Sequence, residues 1–401
     1  NGASFLIQKE AGIDAADLMI AVTTSDELNL LCCLIAKKAG GCHTIARVRN
    51  PIYNKEIAFI KEELGLSMVI NPEQAAANEI ARLLKFPSAI KVDTFAKGKV
   101  ELLKCKLCEN SILAGRPLTD ISAKLHCDVL ICTVERGEKV FIPSGNFELQ
   151  AKDVISVVAS PKKANEFFKK IGMTTNRIKN CMVIGGGETT YYLAQQLLPM
   201  GIEVKIVEQN KARCNELSEL LPQAMIICGD GTERSLLHEE GIEKTQAFVS
   251  WTNFDEENIM LTLFAKSISK AKNVTKVHRI EYDEIIENLD LGSVLYPKNI
   301  TAEYIIQYVR AMQNSIGSNI ETLYQLIENK VEALEFRVHD QSELIGIPLK
   351  ELRLKDDLLL ACINRRGRII TPGGQDTIEI GDTVIVVTTN RGFHDLKDIL
   401  K

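Results

Sequence analysis

The feature that most constrains this chain is an internal repeat. Sliding the sequence by 229 positions lays Glu10-Ala-Gly12-Ile13 on Glu239-Glu-Gly241-Ile242, and Thr23-Thr-Ser-Asp26-Glu27-Leu-Asn29 on Thr252-Asn-Phe-Asp255-Glu256-Glu-Asn258. Leu34-Ile-Ala36-Lys37 falls on Leu263-Phe-Ala265-Lys266 in the same register. With small insertions, Leu66-Ser-Met-Val69-Ile-Asn-Pro72 matches Leu291-Gly-Ser-Val294-Leu-Tyr-Pro297, and Val100-Glu101 matches Val331-Glu332. Leu113-Ala-Gly115-Arg-Pro117-Leu118 matches Leu344-Ile-Gly346-Ile-Pro348-Leu349, and Lys152-Asp153 matches Gly381-Asp382. Agreement over the whole shared length means two copies of one unit, so a fold assigned to one constrains the other. The second copy begins near Asn180, but its first ~50 residues have no counterpart, because Asn1-Gly2-Ala3 aligns with Asp230-Gly231-Thr232. The first copy therefore enters in mid-domain: we expect a chain truncated upstream, or one from which those residues are left out, with sheet edges unpaired.

At roughly 100–200 residues per domain, the chain should hold two to four folding units; its length is 401 residues. Apolar residues at 45% and charged residues at 25% are ordinary for a globular protein. A net charge of −5 leaves no basic footprint for nucleic acid. No apolar run reaches the ~18–20 residues of a bilayer span, and no signal segment opens the chain. A membrane-spanning or secreted protein is not expected. Aromatic residues at 5%, with one Trp, disfavour carbohydrate clefts and single-strand stacking platforms. The 11 cysteines are odd in number and irregularly spaced, with Cys32 and Cys33 adjacent, which fits reduced thiols of a cytosolic protein rather than a disulfide framework. Only Cys105-Lys-Leu-Cys108 has metal-like spacing, and it lies in an alternating stretch where residues three apart face opposite sides.

Each copy has two parts. In the second, strands are expected at Cys181–Ile184, Glu203–Glu208, Ala224–Cys228, Ala247–Trp251 and Val274–His278, with helices through Leu193, Leu197 and Leu198 and over Lys211–Leu221. Strands alternating with helices argue for a parallel, helix-covered sheet. From Val331 the texture changes to strand alternation over Glu332–Val338. A helical hint follows at Pro348–Leu352, then short strands at Leu358–Asn364, Arg368–Thr371 and Thr383–Val387, separated by turns such as Arg366-Gly367 and Pro372-Gly-Gly374. That reads as a small α+β domain. Helical stretches over Ala302–Ile327 and Ala76–Phe86 would join the parts. The expected fold class is α/β: Rossmann-like parallel sheets alternating with small α+β domains in tandem duplication, with boundaries 1–86, 87–173, 174–313 and 314–401.

Val183-Ile184-Gly185-Gly186-Gly187-Glu188-Thr189-Thr190 follows a strand and opens a helix, the context a dinucleotide fingerprint requires. Gly185 permits the tight turn and Gly187 lets backbone approach a phosphate, with the helix macrodipole favouring the anion. Thr190 replaces the last glycine, so helix–strand packing there should loosen slightly. Glu208 ends the second strand, 21 residues past Gly187, where an acid accepts hydrogen bonds from a ribose diol and disfavours a 2′-phosphate. NAD(H) or an adenosine nucleotide is therefore preferred over NADP; a solvated strand-end acid is the alternative. By topology, Asp230-Gly231, Thr252-Asn253 and His278-Arg279 lie at strand ends, where ligands sit. Asp255-Glu256-Glu257 read equally as helix caps. Arg279 would pair either with a phosphate or with a surface acid; the first copy keeps Arg47 and Arg49 in the matching segment.

The run Gly185-Gly-Gly187, Glu208-Gln-Asn210-Lys-Ala-Arg213-Cys-Asn-Glu-Leu217, Gly229-Asp230-Gly231-Thr232 and Thr252-Asn-Phe-Asp255-Glu-Glu-Asn258 resembles the RCK (KTN) domain. The parts carrying Leu113-Ala-Gly-Arg-Pro-Leu118 and Gly381-Asp382-Thr-Val-Ile resemble the RCK C-terminal (TrkA-C) domain. Two tandem N–C pairs are similar, over the whole chain, to the TrkA family of peripheral potassium-uptake regulators. The resemblance implies a cytoplasmic homo-oligomer, a dimer or tetramer ring, docked on the inner face of a Trk-type potassium channel subunit and gating it in response to nucleotide. The membrane would be met only through that partner. It implies NAD(H) or ATP/ADP as ligand of the N-domains, and in some C-domains small regulators such as cyclic di-AMP. By motif position, Gly185, Gly187 and Thr189 would face phosphate and Glu208 would hold ribose, with Glu188 and Gln209 also counted in the site. Asp230 and Gly231 would approach adenosine, Arg213 the ligand or a neighbouring domain, and Thr252, Asn253 and Arg279 would complete the site. Thr190 and Asn210 (for the usual Asp) depart from the family pattern. Of a first nucleotide site only Asn1, Gly2, Thr23, Thr24 and Arg47 remain.

An NAD-dependent dehydrogenase would need a His or Lys acid/base beside the nicotinamide. His43, His126, His238, His278, His339 and His394 form no such constellation, and Cys108 stands opposite His339 in the repeat. A non-enzymatic role is expected. Regulation of another ion transporter, such as an antiporter, is the remaining alternative.

Overall fold

A computed structural model describes residues 1–95, 100–125, 127, 129–173, 177–279, 286, 289–314, 320–327, 330–339 and 344–401. His126 lies outside the described residues. The chain divides into two compact units, Asn1–Ala81 with Ile178–Tyr304 and Arg82–Arg177 with Ile305–Lys401. Like halves of the two copies thus pack together.

The first unit holds two parallel sheets. The larger runs in the order Met225–Cys228, Glu203–Glu208, Asn180–Ile184, Ala247–Ser250, Lys272–Lys276, Ser293–Leu295. In chain order that is 3-2-1-4-5-6, the doubly wound arrangement that opens a ligand crevice where the order reverses. Its central strands are near-continuous apolar runs, with Cys181–Ile184 and Ala247–Ser250 buried throughout, because the connecting helices take the place of solvent. Five of these strands were expected from sequence; the sixth, Ser293–Leu295, is too short to carry a period of its own. The second sheet, Leu18–Ala21, His43–Arg47 and Met68–Ile70, is also parallel and repeats the last three strands of the first.

The repeat extends to hydrogen bonds. Asn258, fully buried, accepts from the Thr252 amide at 2.8 Å and donates to the Thr252 and Lys276 carbonyls at 3.3 and 3.1 Å. Asn29 does the same with Thr23 and Arg47, at 2.6, 3.3 and 2.9 Å. Asp255 accepts the amides of His278 and Arg279, and Asp26 those of Arg49 and Asn50. Each Asn–Asp pair lashes the start of a helix to the ends of two strands. The copies also touch: the Tyr192 hydroxyl donates to the Arg49 carbonyl and accepts from Asn71, both at 3.0 Å, and Gln196 donates to Asn78 at 2.8 Å.

The second unit holds two five-stranded antiparallel sheets of identical order. One is Lys91–Phe95, Val100–Lys106, Val154–Ala159, Leu130–Arg136, Lys139–Phe141; the other is Ile320–Ile327, Val331–Arg337, Thr383–Thr388, Leu358–Arg365, Arg368–Ile370. They share one core, in which Phe95, Leu102 and Val158 cluster with Val331, Ala361 and Val387. Phe95 meets Tyr324 edge-on, ring centroids 4.3 Å apart. In each sheet an arginine grips a buried aspartate through two nitrogens: Arg136 on Asp153 at 2.8 Å each, and Arg365 on Asp382 at 3.0 and 2.9 Å.

Two expectations from sequence are corrected here. The helix expected over Ala302–Ile327 runs over Pro297–Asn314, and Ile320–Ile327 is a strand. Apolar residues at 320, 323, 326 and 327 have helical spacing, but pairing with the adjacent Val331–Arg337 decides the outcome. The helical hint at Pro348–Leu352 is a single 3-10 turn, Leu349–Glu351, where the first copy has the α-helix Leu118–Leu125. Cys105 is buried within its strand, whereas Cys108 lies beyond it and is exposed.

Candidate nucleotide site

The carboxyl ends of the six-stranded sheet open into a cavity of about 730 Å³, within the range of small-molecule sites. The Gly185–Gly187 turn forms its floor. Gly185 has φ +101°, and a Cβ there would stand 2.6 Å from the Trp251 carbonyl oxygen, so only glycine makes the turn. A Cβ on Gly187 would meet nothing within 4 Å, leaving its backbone open to a ligand at the N-terminus of the helix Glu188–Leu197. Thr190 does not loosen the packing as expected: it is buried, and its hydroxyl donates to the Gly185 carbonyl at 2.6 Å, closing the turn by a hydrogen bond.

Glu208 stands beside this turn. Its Oε2 accepts the Gly186 amide and its Oε1 the Asn210 amide, each at 2.7 Å, and each oxygen keeps a lone pair for a further donor. Asn210 in turn caps the helix Lys211–Leu220, accepting from Ala212 at 2.9 Å and Arg213 at 3.2 Å. Arg213 reaches back, with Nε 2.7 Å from the Gly186 carbonyl oxygen and Nη2 3.1 Å from Glu188. At the end of the neighbouring strand, Asp230 accepts the Thr232 amide and hydroxyl, which hold its carboxyl below the usual range. Gly231 lines the cavity, and it packs so closely that a Cβ would sit 2.4 Å from Ile184 Cγ2.

The cavity brings together Gly185, Gly187, Glu188, Thr189, Glu208, Gln209, Arg213, Asp230, Gly231, Thr252 and Asn253, from four strand ends. Arg279 is not among them. Its side chain is exposed and pairs with Glu256 at 3.4 Å, because Asp255 has taken its amide and turned the chain at that point. The surface-acid alternative holds for this residue. Of the acids that open the fourth strand's helix, Glu257 lines the cavity and Asp255 ties down the end of the fifth strand. Burial pushes the Asp255 carboxyl up, but hydrogen bonds from the His278 ring and from the His278 and Arg279 amides outweigh it and hold the group below its usual range.

Lys276 was missed from sequence. It ends the fifth strand inside the cavity, 8% exposed, with Nζ 3.4 Å from Asn253 Oδ1 and 5.7 Å from the Trp251 ring centre. Burial pulls its pKa down, against the upward pull of Asp255 and Glu73. The signal that could have found it is the repeat: Lys276 falls on Arg47 in the 229-residue register. Pro72 and Glu73 of the first copy also line the cavity, and burial pushes the Glu73 carboxyl up. Nothing local in sequence announces them. In the first copy, Arg47 and Arg49 donate to the carbonyls of Thr23 and Thr24, Asn1 accepts the Ala3 amide, and the Gly2 carbonyl accepts from Gln8.

The residues fit an adenosine nucleotide: an open glycine backbone at a helix N-terminus, a carboxylate with spare lone pairs, and buried cationic nitrogen on the far side. Arg213 and Asp255 are held by ion-pair and backbone partners, and Lys276 by the Asn253 side-chain amide.

Residues 1–72 and 181–297 match the model of the TrkA-N domain, and 106–172 and 333–401 that of the TrkA-C domain. The Trk system potassium uptake protein TrkA homolog of Archaeoglobus fulgidus is 32% identical over 401 residues, spanning 100% of this chain and 89% of its own length. The corresponding homolog 1 of Methanosarcina mazei is 30% identical over 409 residues, with the same coverage. The TrkA of Haemophilus influenzae is 28% identical over 389 residues, covering 96% of this chain and 84% of its own. Among solved structures, the GsuK RCK domain superposes with a TM-score of 0.61 at 16% identity, over 97% of this chain and 82% of that one. The GsuK channel bound to NAD gives 0.59 at 17% identity, over 97% and 68%. At these identities the likeness carries the fold alone.

Proposed function

This chain belongs to the TrkA family, built from tandem TrkA-N and TrkA-C domains, and from that premise we propose that it is a nucleotide-binding regulatory subunit gating a Trk-type potassium uptake channel. The single observation that carries the reading is the cavity at the sheet's reversal point, where Glu208, the Gly185–Gly187 turn and Lys276 converge. The relatives' names supply the transport system, and the NAD-bound GsuK channel supplies the ligand class by analogy.

In this reading the ribose hydroxyls donate to Glu208, which repels a 2′-phosphate and so favours NAD(H), ATP or ADP over NADP. Phosphate lies over the open Gly187 backbone, with Lys276 and Arg213 supplying positive charge. The nucleotide is a regulatory ligand and is released unchanged. Gating requires that it bind two arrangements of the N-domains unequally, since equal affinity shifts nothing. The chain would act as a homo-oligomeric ring on the cytoplasmic face, meeting the membrane through its channel partner; among the described residues no helix is long and apolar enough to cross a membrane.

The test is Glu208→Gln, read by calorimetric titration with ADP, NAD and NADP. Loss of the charged acceptor should weaken ADP and NAD by roughly tenfold and narrow the preference over NADP. Unchanged affinities for all three would refute the site. Turnover of NAD with a reduced product, seen in the near-ultraviolet nicotinamide band, would refute the regulatory role.

A further inference from the structure

Cys214 and Cys228 have no part in the nucleotide site as described. Cys214 lies on the helix that follows Glu208, and Cys228 ends the strand paired with Glu208, in direct register with it. Cys228 is exposed and Cys214 is buried, and both flank the Glu208 carbonyl, which accepts the amide of Gly229, the residue after Cys228, at 3.0 Å. The Cys214 thiol also approaches the Glu208 carbonyl oxygen at 3.2 Å. An exposed thiol with a buried thiol held at the same residue is the arrangement of an oxidisable cysteine and its resolving partner.

We propose that Cys214 and Cys228 are a thiol-modification site, which hydrogen peroxide converts to an intramolecular disulfide that weakens nucleotide binding at Glu208. The Cys228 sulfur attacks one peroxide oxygen, breaking the O–O bond and giving a sulfenic acid and one water. The Cys214 sulfur then attacks the sulfenic sulfur, its proton leaving with the displaced hydroxyl as a second water. In balance, two thiols and one peroxide give one disulfide and two waters. Burial, reinforced by the Cys228 side chain and the nearby Glu208 carboxylate, pushes the Cys214 thiol up to about 11, so it waits as the thiol while the exposed partner reacts first. The bond removes the Cys214 contact to the Glu208 carbonyl and pulls on the turn that carries Arg213, whose Nε holds the Gly186 carbonyl. Only this last consequence rests on the nucleotide reading.

The full chain is treated with hydrogen peroxide, blocked with an alkylating agent and digested. Trypsin leaves both cysteines in one fragment, Cys214–Arg234, which should weigh two hydrogens less and carry no alkyl group at either cysteine. Cleavage after Glu216 or Glu219 should then leave two peptides that separate only on reduction. Cys228→Ser, an exposed and conservative change, and Cys214→Ala should both abolish the product. ADP affinity, measured in parallel, should fall roughly three- to tenfold on oxidation and return with dithiothreitol, with no change in Cys228→Ser. Cys228 driven to sulfinic acid or linked between chains while Cys214 stays alkylatable overturns the proposal, as does a disulfide that leaves ADP affinity unaltered. Reduced protein that does not bind ADP refutes the nucleotide reading instead, and the mass result stands separately.

Discussion

Replacing Asn258 by alanine should cost stability and affinity together, whereas the same change at its twin, Asn29, should cost stability alone. Both side chains are fully buried, and each makes three hydrogen bonds that join a strand end to the residue six positions before it. At a net ~1 kcal/mol per bond, with the stranded amide and carbonyls left unpaired, each substitution should destabilise by about 3 kcal/mol. Asn258 also positions Thr252 and Lys276, which line the cavity, so its loss should weaken ADP by roughly tenfold, or ~1.4 kcal/mol. Asn29 holds Thr23 and Arg47, which do not line it, and ADP affinity should stay within about twofold. Native-state hydrogen exchange of the strands Lys272–Lys276 and His43–Arg47 reads the first effect locally, and calorimetric titration reads the second. Equal losses of ADP affinity in the two variants, or a neutral Asn258→Ala, would refute the reasoning.

Two further outcomes follow from side chains already described. Lys276→Met should weaken ADP by about tenfold and abolish a pH dependence that the native chain shows: burial lowers the lysine's pKa, so native affinity should fall with rising pH before the ordinary lysine value of ~10.4 is reached. Over that window the unliganded native protein should grow more stable, because the folded state gives up this proton before the unfolded one does; Lys276→Met should flatten both curves. Asp382→Ala strands Arg365, its partner through two nitrogens, and should destabilise the second unit by about 3 kcal/mol in denaturant titration, with Asp153→Ala costing a similar amount.

Much of this architecture is legible in sequence because the duplication lets each copy annotate the other. The motif Asp26–Asn29 over Asp255–Asn258 stands out before its role is visible, and the geometry then gives that role twice. Gly185 and Glu208 are legible because a tight turn and a strand-end acid leave local marks. Lys276 leaves no local mark, since an isolated lysine at a strand end looks like any solvated one; only its register with Arg47 in the repeat points to it. Glu73 enters from the other copy, a placement no local pattern encodes. Ile320–Ile327 reads as helix because three-residue spacing of apolar groups is shared by amphipathic helices and by irregular edge strands; only its hairpin partner distinguishes them.

The Tyr192 hydroxyl, using its proton on one neighbour and a lone pair on another, has a mechanical corollary. It rides on the helix whose first turn faces the glycine bend, and both its tethers lie in the duplicate half. Burial drives its phenol up to about 12, so the proton that one tether needs is retained at any cellular acidity. A tilt of that helix by a fraction of its pitch would have to stretch both tethers or drag the duplicate along. Through these two bonds the duplicate half is fastened to the helix that begins at the glycine bend.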